Sequence, residues 1–152
     1  MAGVTGVVRA GMAALGVIHA WWGIWARFFP RHFYDTFPGF GRRWTAAYPP
    51  FNEHLVTDLG ATFLTLAFLL LAGAASRSRS VRTVALVAVG LFGALHLSFH
   101  AGHAGTMTGT DLGASLFFLF MGVLAPAALV FVDRRWSPPD GPGPRRLPGS
   151  LD

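Results

Sequence analysis

Residues 54–75 read HLVTDLGATFLTLAFLLLAGAA, and this run decides which solvent the protein folds in. After Asp58 it contains no charged residue. A helix rises about 1.5 Å per residue and a bilayer core is about 30 Å thick, so a run of this length is sized to cross it. Working outward, three more stretches have the same character, at about 4–29, 81–101 and 112–132. A cleavable signal ending at Ala20 is the alternative for the first of them. The apolar run continues, however, through Trp21, Trp22 and Trp25, which suit an interfacial aromatic belt better than a new N-terminus.

Composition agrees. Of 152 residues, 53% are hydrophobic and 12% are charged, whereas soluble domains carry about 25% charged residues. The expected fold is an all-α membrane protein, a four-transmembrane-helix bundle over residues 1–133. The net charge is +5. A basic balance can mark a nucleic-acid binder, but here every basic residue is Arg and most sit between or after apolar runs, where they set topology instead. The N-terminus, second loop and C-terminal tail carry Arg9, Arg77, Arg79, Arg82, Arg134, Arg135, Arg145 and Arg146, against Arg27, Arg31, Arg42 and Arg43 on the other side. This asymmetry places both termini in the cytoplasm of an inner (plasma) membrane protein. Residues 30–51 then form an extracytoplasmic loop lying on the surface or folding over the bundle mouth. Residues 134–152, rich in Pro and Gly, read as a disordered tail.

The chain repeats itself. Thr57-Asp58-Leu59-Gly60-Ala61 recurs as Thr110-Asp111-Leu112-Gly113-Ala114, Val8-Arg9 as Val81-Arg82, and Gly16-x-x-His19 as Gly93-x-x-His96. Each half is an Arg-led helix rising to a His, followed by a TDLGA helix descending, which predicts two repeated helical hairpins. Structurally, Thr and Asp suit a helix N-terminus, and Gly60 and Gly113 suit close helix approach, as do the segments from Gly16 to Gly23 and from Gly109 to Gly113. If Asn52 or Glu53 starts the second span, Asp58 lies more than one turn inside it.

No Cys is present, which excludes disulfides, thiolate catalysis and Cys-held metals. The chemistry-bearing residues are His and carboxylates. His96, His100 and His103 are spaced i, i+4, i+7, and His54 and Asp58 are spaced i, i+4; each set shares a helical face. With His19, they are expected to converge on one layer in the outer half of the bundle, Asp58 level with His96. Intramembrane ionisable groups are costly and usually serve function.

Three functional classes follow. The first is a metal site (Zn, Fe or Cu) from His54, Asp58, His96, His100, His103 and Asp111, serving an oxidoreductase or hydrolase that acts on a lipid-soluble substrate. Haem b held by His19 and His96 is a variant of it. The second is a cofactor-free acid–base enzyme of isomerase or cyclase type using Asp58, Glu53 and His96. The third is a non-catalytic subunit of a homo-oligomer or larger membrane complex. Partners in every case are membrane lipids, with no nucleic acid.

The polar-topped second span, Asn52-Glu53-His54-x-x-x-Asp58-Leu59-Gly60-Ala61, together with four short spans over residues 1–132, resembles the small DoxX-like membrane proteins. That resemblance implies a link to membrane redox and quinone-linked systems. It does not extend to the His-rich third span and assigns no functional residue.

Overall fold

A computed structural model describes residues 2–136 of the chain. Four long helices carry the fold: α1 (Ala2–Phe28), α3 (Glu53–Ala75), α4 (Arg79–Gly102) and α5 (Gly109–Trp136). All four are long and apolar enough to cross a membrane, and the molecule is a multi-pass all-α membrane bundle. α1 and α3 match their expected spans to within two residues at either end, whereas α4 is three residues longer than expected and α5 seven. The tail expected from residue 134 begins instead as the last turn of α5, and residues 137–152 lie outside the described residues.

The outward faces identify the solvent. On α4 the exposed large residues include Val84, Val87, Leu91 and Leu95; on α1 they include Val7, Val17, Trp21, Ile24 and Phe28. A soluble bundle would place charge at these positions, because exposing this much apolar surface to water is unfavourable. Against lipid tails it costs nothing.

The repeat is realised as two hairpins. α1 packs along α3 and α4 along α5, with narrower α3–α4 and α1–α5 seams closing the bundle. In both halves the leading Arg ties its helix to the end of its partner. Arg9 Nε donates to the Ala74 carbonyl at 2.5 Å, at the C-terminus of α3. Arg82 donates from Nε and Nη2 to the two carboxylate oxygens of Asp133, each at 3.0 Å, at the C-terminus of α5.

Glycine fits only part of the expected pattern. A Cβ on Gly60 would lie 2.5 Å from Arg27 N, and one on Gly23 would lie 2.9 Å from Leu64 N, so α1 and α3 touch backbone to backbone. Gly113 and Gly109 face open space. The second hairpin is instead pinched at Gly93, where a Cβ would lie 2.9 Å from the Gly122 carbonyl oxygen. The shared pentapeptide therefore does different work in its two copies.

The segment between α1 and α3 folds over the mouth of the bundle. It contains a short helix α2 (Pro30–Thr36), an antiparallel pair β1 (Pro38–Gly39) and β2 (Arg42–Arg43), and a 3₁₀ turn (Thr45–Ala47). Its aromatic residues drive the closure. Phe33, Tyr34 and Trp44 are buried, Phe33 stacks on Phe37 at 4.6 Å, and Trp44 packs near Phe118 of α5. Polar ties fasten it. Arg42 and Trp44 both donate to Asp111 Oδ1, and Thr106 N donates to the Ala47 carbonyl at 2.9 Å.

The interior is solid in the terminal half, where Val8, Met12, Leu66, Leu70, Leu86 and Val89 form one cluster. Toward the loop end it is hollow.

Candidate functional site

A cavity of about 320 Å³ lies between the solid half and the loop. Leu15, Val89 and Ala125 line it, as do Phe63, Phe92 and Phe118, and the loop contributes Phe37, Trp44 and Tyr48. Into this apolar space open the side chains of His19 on α1 and of His96 and His100 on α4, with Ser115 of α5. A concave, mostly apolar space with a few convergent polar groups is the usual form of a small-molecule site.

Helix geometry explains which histidines arrive there. α4 turns about 100° per residue, so His96 and His100 share its inner face, and their rings meet at 4.6 Å. The expected third member does not follow, because α4 ends at Gly102 and His103 leaves the helical path as its C-cap. The His103 ring is exposed, stacks on Phe99 at 4.4 Å and places Nδ1 2.9 Å from the Phe99 carbonyl.

His54 and Asp58 also stay outside. Val56, Gly60 and Phe63 form the buried face of α3, and a residue two positions from Val56 or Gly60 is turned about 200° away from that face. The His54–Asp58 pair accordingly points outward, at 3.5 Å with side chains 85% and 62% exposed. Asp58 is thus not beside His96, and Glu53 is an exposed first-turn residue of the same helix. Asn52 is the N-cap, accepting from Leu55 N at 3.1 Å, which puts Asp58 past the first turn. Asp111 sits at the start of α5, where the Arg42 guanidinium and Trp44 indole claim its carboxylate. Because the His54–Asp58 pair is solvent-facing, Asp58→Asn is expected to change unfolding free energy by no more than about 0.5 kcal/mol. Thermal unfolding in nanodiscs checks this, and a larger loss would show that the pair has a partner.

The metal set expected from spacing is therefore dispersed. Among the described residues, no group of three or more His, Asp or Glu side chains is placed to hold one ion. The haem pair fares similarly. The chain of ring contacts from His19 to His96 runs through Phe63 and Phe92, at 5.9, 6.0 and 5.4 Å. Among the described residues the two imidazoles make no ring contact with each other.

Tyr48 is the residue that spacing did not reveal. Its hydroxyl lies 2.7 Å from His100 Nδ1 and 2.6 Å from the His103 carbonyl oxygen. Burial pushes its phenol above the usual value, so it keeps its proton. One signal was available: it is one of two tyrosines, set before Pro49-Pro50 in a loop. Nothing local, however, points it at α4. His19 is anchored within its own helix, Nδ1 lying 2.8 Å from the Leu15 carbonyl, and its ring packs against Trp22 and Phe63.

Compared with protein-family models, with curated proteins and with solved structures, the chain matches none.

Proposed function

We propose that this multi-pass membrane protein binds a lipid-soluble small molecule in the cavity and exchanges a proton with it through His100, which Tyr48 holds in place. The cavity itself carries the proposal: about 320 Å³ of aromatic-walled space into which three imidazoles open. Such a volume takes one small organic molecule. An imidazole in an apolar site can take a proton from a bound molecule and return it. A metal-dependent version of the chemistry lacks support, since among the described residues no three of the donors it needs come together. Both termini lie in the cytoplasm, following the Arg asymmetry, so the loop end of the cavity faces the extracytoplasmic side.

The test is saturable binding of 4-hexylphenol to the protein in lipid nanodiscs, measured by titration calorimetry against protein-free nanodiscs. Leu119→Trp, which fills the cavity from α5, is expected to abolish saturable binding while leaving helical content unchanged. Absence of saturable binding to the native chain, or its persistence in Leu119→Trp, would overturn the proposal.

A further inference from the structure

We infer that the cavity's occupant carries a hydroxyl group, as an alcohol or a phenol, and that ketones, quinones and ethers of the same size fit it less well. This rests on the binding proposed above and concerns the same site. The ground is proton bookkeeping. A backbone carbonyl can only accept, so the 2.8 Å contact from His19 Nδ1 to the Leu15 oxygen requires the proton on Nδ1. A charged imidazole in the membrane interior is costly. In the neutral ring, Nε2 is then a bare acceptor.

For His100 the constraint comes from Tyr48. The phenol has one proton and two close partners, a carbonyl oxygen at 2.6 Å and an imidazole nitrogen at 2.7 Å. Only one assignment avoids facing two lone pairs. Tyr48 donates to the His103 carbonyl, and His100 Nδ1–H donates to the Tyr48 oxygen. His100 Nε2 is therefore also a bare acceptor. Among the described residues, no buried side-chain nitrogen or oxygen lacks a partner. Among the described residues neither Nε2 has a hydrogen-bond partner, so both are open rather than sealed in packing.

A third acceptor comes from the backbone. Pro126 lies inside α5 and has no N–H to give the carbonyl four residues earlier, that of Gly122. This carbonyl is directed at α4, where only a glycine, Gly93, leaves it room. Gly93 and Gly122 both line the cavity. Donors are present too, because Ser115 and the neutral His96 ring each carry one and both line the same space. A hydroxyl is the oxygen group that serves both sides: it donates to an imidazole and accepts from a neighbour. A carbonyl or ether oxygen set against His100 Nε2 meets another lone pair.

Tyr48 is here a positioning residue, selecting which nitrogen of His100 faces the ligand. The experiment compares 4-hexylphenol, 4-hexylanisole and 4-hexylbenzaldehyde binding to the full chain in nanodiscs, each corrected for its partition into protein-free nanodiscs. The phenol is expected to bind about fivefold or more tightly than either acceptor-only compound. Tyr48→Phe, which removes one oxygen and frees the His100 proton, is expected to shrink that preference to about twofold or less with helical content and thermal midpoint retained. Equal affinities for the three compounds, or tighter binding of the aldehyde, would overturn the inference and leave the binding site standing. An undiminished preference in Tyr48→Phe would overturn the positioning role. If no compound binds saturably, the binding site and the inference fall together.

Discussion

Asp133→Ala is expected to lower the unfolding free energy of the bundle by about 3–5 kcal/mol. Arg82 and Asp133 are 2% and 0% exposed. The guanidinium meets the carboxylate with two parallel bonds of 3.0 Å, and Nη1 donates to the Arg77 carbonyl at 3.0 Å. Every strong polar group at this junction is therefore satisfied. Removing the carboxylate strands a desolvated cation between α4 and α5, and stranding the cation is the source of the loss. The attraction itself contributes much less, since desolvating both charges offsets most of it. Replacing both partners, as in Arg82→Met with Asp133→Leu, should therefore recover most of the lost stability. Thermal unfolding of the three variants in nanodiscs, followed by circular dichroism, measures both effects. An Asp133→Ala protein within about 1 kcal/mol of the native chain would show that the pair is not desolvated as the packing implies.

The second large effect is expected at Gly60. A valine there would place Cβ 2.5 Å from Arg27 N and 2.9 Å from Ala26 C and Arg27 Cα. Backbone cannot rotate out of the way as a side-chain tip can, so α1 must separate from α3. Overpacking of this kind costs about 1–3 kcal/mol and sometimes more. The damage should reach the cavity. Phe63 lies one turn below on α3 and its ring packs 5.9 Å from His19 of α1, so 4-hexylphenol affinity should fall with stability. Gly113→Val supplies the control within the same pentapeptide, because nothing lies within 4 Å of a Cβ built there. It is expected to stay within about 0.5 kcal/mol. Equal losses at the two glycines would contradict the asymmetric packing of the hairpins.

Those two glycines show how far the repeat could be read. Five identical letters at 57–61 and 110–114 correctly announced two similar hairpins. They did not announce which copy makes the close crossing, because contact depends on the facing helix. α1 presents Gly23 and the Arg27 backbone to Gly60, and nothing stands opposite Gly113. The pairing of Arg82 with Asp133 has the same origin. Arg82 opens one span and Asp133 closes its antiparallel partner, so the two were at one level, yet nothing in the letters chose Arg82 over the adjacent Arg134 and Arg135 as the partner of Asp133.

The histidines divide along the same line. Periodicity of 3.6 residues put His96 and His100 together, and the structure keeps them together at 4.6 Å. It could not show that α4 stops before His103, or that α3 turns His54 and Asp58 outward once Gly60 faces α1. The sequence by itself determined the solvent, the four spans and the hairpin repeat, because hydrophobicity and helical period are properties of each segment alone. Only the tertiary structure decided which polar groups meet. The rotation of each helix about its axis is set by its neighbour's surface, and the path of the 29–52 loop by the aromatic cluster it buries. Both put Tyr48 against His100 and left open space between them and His19.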